Sequence, residues 1–594
     1  MLPIKFQMKK ILSILIFVLF VSFDSYSQEL THRFSAAEKK ELRKYNEFRL
    51  NNPGAPASVI PPDSPVRTIA EWEELQGLIV TWKSYPTMNR EIVKFAKQQC
   101  KVYLQYEPPD SPSSITSYLN SYGIDTVNVQ FVNVPLNSVW CRDYGPWSAY
   151  TNDVDTLITI DWIYNRPRPD DDATPANIAS LLGTPIYETT QSPWDLVHTG
   201  GNFMTDGFGT GFSSNLILTD NSPAGGFNVV HTAAEIDTIM SRFMGINRYI
   251  KMNVLPYDQI HHIDMHMKLL NEETLLVGQY PAGVADGPQI EANIQYVLAN
   301  FNSIFGTPYK VIRIPMPPST GGNYPPSSNY YTYTNSSFVN NTIIVPVYNL
   351  PQDTTALRIY REALPGYNVV GINSNPSIPA SGALHCITKE IGTSDPLLIS
   401  HQPLPDTYDD VNPYTVQAVM KHRSGIATAF MYYTTDTTQP YIQLSMSQGL
   451  NPDYWVAQIP AQPVGTEIFY YVEGFANSGK HQVRPMPAPA GYWKFRVLGP
   501  VSADELSVSE LLMQPAFPNP SKGITCIPVY SYSGSEANLN LTDVTGRMVL
   551  NIFNGYLKRG ESKLFFDSSE IPAGSYFLML KTPTGSATQK LMVK

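Results

Sequence analysis

Between residues 66 and 400 the chain alternates short apolar runs with helix-like stretches, and beyond Pro403 the helical stretches stop. The runs Leu78-Ile79-Val80, Leu157-Ile158-Thr159-Ile160 and Ile343-Ile344-Val345 have the length and residue types of strands, whereas residues 90–99 and 290–301 have helical character. Strands interleaved with helices predict an α/β domain over 66–400. Residues 427–433, 441–446, 467–476 and 492–497 then alternate as short strands between turn residues. Such a pattern predicts an immunoglobulin-like β-sandwich over 401–500. At 594 residues the chain is too long for one ordinary core, so two to four domains are expected. With 43% hydrophobic and only 15% charged residues, it belongs with β-rich globular proteins rather than disordered or coiled-coil ones. A net charge of -10 with no basic stripe argues against nucleic acid as a partner.

The two ends carry transport signals. Lys9 and Lys10 precede an apolar run over residues 11–21, and small residues follow to Ser27. This reads as a signal peptide over 1–27, too short for a comfortable membrane span. No later apolar stretch is long enough to suggest a transmembrane span. Residues 28–65 are polar, end in a Pro-rich stretch from Asn52-Pro53 to Pro65, and are expected to form an N-terminal arm. A linker over 501–513 leads to a β-patterned block, 514–594. That block opens on Ala516-Phe517-Pro518-Asn519-Pro520 and carries Asp543-Val544-Thr545-Gly546-Arg547 and Pro572-Ala573-Gly574-Ser575-Tyr576. These segments resemble the C-terminal sorting domain of type IX secretion. The resemblance implies export through the periplasm to the surface or medium, with that secretion machinery as a partner. An exported chain can oxidise its thiols, and Cys100, Cys141, Cys386 and Cys526 allow one or two bridges.

Three segments bring together residue types suited to hydrolysing a guanidinium. Such chemistry needs carboxylates to hold the planar cation, a thiolate to attack its carbon, and an imidazole to move protons. Asp143 stands before a Tyr144-Gly145-Pro146 turn, so it is expected to project from a constrained strand end. In His261-His262-Ile263-Asp264-Met265-His266, a strand would place His262 and Asp264 on one face. Gly382-Ala383-Leu384 precedes His385-Cys386, and small residues there leave room beside the thiol. Taken singly, each segment has a plain structural explanation: a turn-capping Asp, a polar strand face or a His262–His266 metal pair, and a buried Cys. No HExxH helix or Cys pair accompanies the histidines to support a metal.

In order along residues 66–395, W-x-R-D-x-G-P, G-G-N, H-x-D and H-C-x-T resemble the agmatine deiminase and bacterial peptidylarginine deiminase branch of the guanidino-modifying (pentein) superfamily. The resemblance implies a five-bladed α/β propeller of ββαβ units around a central site. It assigns Asp143 and Asp264 to the guanidinium nitrogens, His262 to acid–base catalysis and Cys386 to the covalent intermediate. It implies no cofactor and no metal in the chemistry, leaving calcium or sodium only as structural ions.

The far end of the substrate divides this branch. Arg166-Pro167-Arg168 sets two guanidinium forks on a stiff loop, suited to a carboxylate, although Asp170, Asp171 and Asp172 stand close enough in sequence to neutralise them. The pair resembles the carboxylate-binding arginines of the Porphyromonas-type enzymes, which implies peptide or protein substrates with C-terminal arginine. Thr199, before Gly200-Gly201-Asn202, stands where agmatine deiminases usually carry an acid. Trp140 is expected to wall the guanidinium, and Asn323 to bond the substrate backbone. The alternatives are an exported agmatine deiminase, a papain-like cysteine protease and a non-catalytic surface-binding protein. The protease lacks its Cys-proximal signature and leaves two carboxylates without a task. Against a non-catalytic protein stand the intact Asp143, His262, Asp264 and Cys386.

Overall fold

The computed structural model describes residues 30–51, 58–499, 511–531, 534–583 and 585–594. The expected signal peptide, 1–27, and most of the expected linker, 501–513, lie outside the described residues. Two compact units are present: one holds most of the chain through Arg496, and the other comprises residues 497–594 with 407–410 and 463–465.

Between residues 66 and 392 the described chain forms five sheets on one plan, an antiparallel pair, a helix and a parallel third strand. Trp147–Thr151, Leu157–Tyr164 and Ile186–Thr189 make one, with helix Thr174–Leu182 between the last two. The others are Met204–Thr205, Thr210–Ser214 and Arg248–Met252; Met267–Asn271, Thr274–Gln279 and Lys310–Pro315; and Ser337–Val339, Thr342–Val347 and Asn368–Asn373. In the fifth, the first strand is supplied from far along the chain, because Thr388–Gly392 pairs antiparallel with Leu75–Thr81, which pairs parallel with Lys101–Tyr106. The middle strands are covered on both faces, which is why they read as unbroken apolar runs. Leu78, Ile79, Val80, Ile343, Ile344 and Val345 are all fully buried. The expected helices are present as Pro86–Ala96 and Gly287–Asn300.

Residues 398–496 are all β, in two antiparallel sheets built around Tyr414–Lys421 and Ile426–Thr434. Alternate residues of Tyr414–Lys421 are buried, the pattern of a strand with one wet face. The first of these sheets begins at Leu398–His401, slightly before the boundary expected from sequence. Arg484 donates to the Trp72 carbonyl at 2.6 Å and Ser400 to Glu272 at 2.9 Å, so this region is bonded to the α/β part. In the second unit, two further antiparallel sheets enclose Ile527, Val529, Leu539, Leu541, Leu578 and Leu591. All four cysteines are free thiols, so the bridges the sequence allowed are not formed.

One side chain ties the sheet of Ser337–Val339 and Thr342–Val347 to the sheet that holds Leu75–Thr81. Asn340 sits in the left-handed region (φ 50°), which Asn tolerates better than most residues. Its amide accepts from Leu75 N at 2.8 Å and donates to the carbonyls of Leu75 at 3.0 Å and Gln99 at 2.9 Å. Asn340→Ala leaves these groups without partners and is predicted to lower unfolding free energy by about 2 kcal/mol. Urea denaturation followed by circular dichroism measures this.

Candidate active site

The chemically active side chains all lie on irregular turns. Cys141–Tyr144, Gly200–Asn202, Ile263–Met265 and His385–Ile387 are single helical turns, each just before the first strand of one of the five sheets. The stretch 332–336 precedes the remaining one, Ser337–Val339. Asp143 therefore belongs to a helical turn closed by Gly145 N to Cys141 O (2.8 Å), not to a strand end. His262 and Asp264 do not share a strand either. His261 is left-handed (φ 59°), His266 N bonds Ile263 O at 3.1 Å, and the strand starts only at Met267. The turn nonetheless brings His262 Nδ1 within 3.6 Å of Asp143 Oδ1.

Asp143 and Asp264 are buried, at 0% and 2% exposure. Asp143 Oδ1 accepts from the amide of Gly201 at 3.0 Å. Burial raises the Asp143 pKa, but the charge and hydrogen bond of His32 and the charge of Arg166 outweigh it and hold the carboxyl below the ordinary range. Asp264 Oδ2 is 2.8 Å from His385 Nδ1, and His385 Nε2 is 2.8 Å from Glu71 Oε1. Glu71 also accepts from Lys268 at 2.7 Å. Burial opposes ionisation of Glu71 too, yet His385, Lys268 and Arg142 keep it well below the usual carboxylate range. Asp264 Oδ1 is buried with no partner among the described residues, an acceptor free for a donor from a ligand. Arg142 does not pair with Asp143 but with Glu390, at 2.7 Å.

Cys386 is fully buried, with Sγ 3.3 Å from Asn335 Nδ2 and 3.8 Å from Asp264 Oδ2. Burial, then the charges of Asp264 and Asp143, push its thiol well above the ordinary value. Burial likewise pushes His262 well below the usual imidazole value, against the pull of Asp143. His262 is therefore neutral near pH 7 and can accept a proton. Gly382 lets Trp140 close on the thiol, since a Cβ there would lie 2.4 Å from the indole and 3.1 Å from Cys386 Cβ.

Arg166 and Arg168 are buried rather than solvated, at 5% and 2% exposure. The adjacent acids do not pair with them. Asp171 accepts from Ser138 Oγ (2.6 Å) and the amides of Asn137 and Ser138, holding the approach to Trp140, while Asp172 accepts from Tyr45. The forks instead meet the N-terminal arm. Arg166 donates to His32 O at 2.9 Å, and Arg168 to Thr31 O and Glu38, both at 2.7 Å. His32 itself lies stacked on Trp140, with its Nε2 against Asp143 Oδ2. His32, Asp143 and His262 bring possible metal-ligand atoms within 4.8 Å, but that direct contact between His32 and Asp143 closes the space an ion would need. Asn323 is exposed in its own turn, bonded to Ser319 and Ser328, so its expected role has no geometric support.

Sequence reasoning missed Glu71, Asn335 and the entry of the expected N-terminal arm into the site, and gave His385 no role. Glu71 lies among other acids and Asn335 among polar loop residues, so neither carries a local signal. A Cβ on Gly201 would stand 2.4 Å from His262 Nδ1 and 3.1 Å from Asp143 Oδ1. Gly201→Ala is thus predicted to displace both groups and lower kcat roughly a hundredfold with the fold retained. Steady-state kinetics alongside circular dichroism tests it.

The family model for Porphyromonas-type peptidyl-arginine deiminase matches residues 67–391, more than half the chain. The model for the secretion system C-terminal sorting domain matches 515–594 and marks the chain for export to the cell surface or medium. A Legionella pneumophila (strain Paris) protein named as an agmatine deiminase is 22% identical over 54% of this chain and 94% of its own. One so named from Vibrio parahaemolyticus is 24% identical over 44% and 78%. An X-ray structure named as an agmatine deiminase covers 57% of this chain and 100% of its own, at 20% identity and TM-score 0.50, and shares the fold. With carboxylates, imidazole and thiol converging on one buried pocket inside the matched region, the chain belongs to the Porphyromonas-type peptidyl-arginine deiminase family and is a hydrolase of guanidino C–N bonds.

Proposed function

We propose that this enzyme converts arginine, preferably at the C-terminus of a peptide, to citrulline and ammonia. The observation that carries this reading is the orientation of Arg166 and Arg168. Both are buried, and both direct N–H groups at backbone carbonyls beside the residue that fills the pocket. Donors so placed suit a carboxylate or peptide carbonyl and would repel the ammonium tail of agmatine. In this reading the five ββαβ sheets are the blades of a propeller around the site, and residues 398–496 form the immunoglobulin-like sandwich.

A guanidinium entering the pocket meets Asp143 and the unpartnered Oδ1 of Asp264. Its positive charge offsets the two carboxylates that raise the Cys386 thiol, so binding itself favours the thiolate. Neutral His262 takes the thiol proton and Sγ bonds to the guanidinium carbon. The same proton then goes to a departing nitrogen, which leaves as ammonia and yields a thiouronium on Cys386. Water, deprotonated by His262, adds to that carbon and expels the sulfur, giving citrulline. Protein groups supply the cation grip, the nucleophile and the proton carrier, so no metal or cofactor is proposed.

Cys386→Ala is predicted to abolish citrulline formation, read by mass spectrometry as a gain of about one dalton in the peptide. Replacing Arg166 and Arg168 together by Ala is predicted to lose roughly 2 kcal/mol of transition-state stabilisation, about thirtyfold in kcat/KM, on free-acid peptides and little on amidated ones. Agmatine serves as the third substrate. Equal rates on free-acid and amidated peptides would remove the carboxylate role, and faster turnover of agmatine would decide for the alternative suggested by the names of the relatives.

A further inference from the structure

The groups that would bind substrate are already engaged by the chain's own N-terminal arm. His32 N donates to Ala380 O at 3.0 Å, and Leu30 O accepts from the Trp140 indole at 2.8 Å. The His32 ring lies flat on Trp140, centroids 4.6 Å apart and planes 9° from parallel, and meets His262 edge-on at 4.7 Å. Its Nδ1 is 3.0 Å from Ser381 O, which can only accept, and its Nε2 faces the carboxylate of Asp143. Both nitrogens therefore face acceptors, and a ring carrying an N–H at each end matches a guanidinium in shape and in the donors it presents. It offers no exocyclic amine to expel, so it can fill the pocket without being consumed.

The likeness extends to the backbone. His32 O lies on Arg166, where a C-terminal arginine would place its carboxylate, and the carbonyl before it lies on Arg168. The helix that follows, Ala36–Asn51, fastens the arm. Glu38 caps its start through Ser35 N (2.8 Å) and ion-pairs Arg168 (2.7 Å). Leu42 and Tyr45 are buried with Ile163, Val197 and Phe227, and Asn46 bonds Gly226 O at 2.9 Å.

We propose that residues 30–51 are an intramolecular pseudosubstrate, with His32 in the place of the substrate arginine, and that the enzyme is held inactive until the arm leaves its site. The identity of the mimicked side chain rests on the functional reading above; occupation of the thiol pocket does not. A tethered ligand competes at a high effective concentration, so the arm raises the apparent KM while leaving the kcat of opened molecules unchanged. Its departure also frees the donors of Arg166 and Arg168 for a substrate carboxylate.

The test uses the full chain with His32→Ala, His32→Glu, which sets a carboxylate against Asp143, and Lys40→Ala on the exposed face of the helix as control. The first readout is the rate of iodoacetamide alkylation at Cys386, followed by peptide mass spectrometry and independent of any substrate. The second is KM and kcat on a short peptide ending in arginine. Both His32 variants are expected to alkylate roughly tenfold faster or more and to show KM lowered by a similar factor with kcat little changed, whereas Lys40→Ala matches the parent. Unchanged alkylation in His32 variants that retain the parent's melting temperature overturns the proposal. If faster alkylation accompanies no turnover of any arginine compound, the plug stands and the substrate reading falls.

Discussion

Two carboxylates, Asp143 and Asp264, are held almost without solvent beside a thiol, and the surrounding structure is organised around offsetting their charge. A buried carboxylate without partners would take up a proton and lose its use. Asp143 stays ionised because a backbone amide and nearby cationic groups face it. Asp264 is steadied from behind, where His385 links it to Glu71, and Glu71 in turn faces Lys268 and Arg142. Burial, together with the charges of Asp264 and Asp143, pushes the Cys386 thiol well above its ordinary value. In the proposed function, a bound guanidinium offsets that charge and so favours the thiolate.

The repeated sheets matter to this site chiefly through what precedes them. Each ββαβ unit begins with a short irregular stretch, and these stretches carry Asp143, Gly201, His262 with Asp264, Asn335 and Cys386 in chain order. A turn leaves amides unused by a sheet ladder, which is how Gly201 N can bond Asp143. It also sets side chains at angles a period-two strand cannot provide. The strands behind, with buried runs such as 78–80 and 343–345, give these turns a rigid base.

The arm adds a second use of the same electrostatics. A site built to attract a flat group with N–H donors and carbonyl oxygens will accept any segment presenting both, and the segment around His32 does so while tethered. Arg168 and Glu38 show how closely the two are fitted, because Glu38 pairs with the arginine proposed to receive a substrate carboxylate and also begins the helix that anchors the arm. In an enzyme exported by way of its C-terminal sorting domain, the proposed occupation of the site by its own chain would keep the Cys386 thiol covered.

From sequence alone, the α/β region followed by all-β regions, the buried middle strands and the residues Asp143, His262, Asp264 and Cys386 could be read. The strands rest on local chemistry, apolar runs for doubly covered positions, whereas the four residues rest on the order of motifs that together resemble a known family, since each segment alone has a plain structural explanation. The paired arginines were equally legible, but not their burial, nor that Asp171 and Asp172 are spent on Ser138, Asn137 and Tyr45 rather than on them. Strand periodicity placed His262 and Asp264 correctly together for the wrong reason, since the left-handed His261 turns the chain before the strand begins. Asn323 drew notice as a Gly-Gly-Asn turn, whereas the Asn beside Cys386 is Asn335. Only the tertiary structure could bring His32 and Glu71 to the site, across 111 residues to Asp143 and 314 to His385. Contacts at that range leave no periodicity or spacing in the sequence, because they are fixed by how distant segments pack together and not by anything local to either residue.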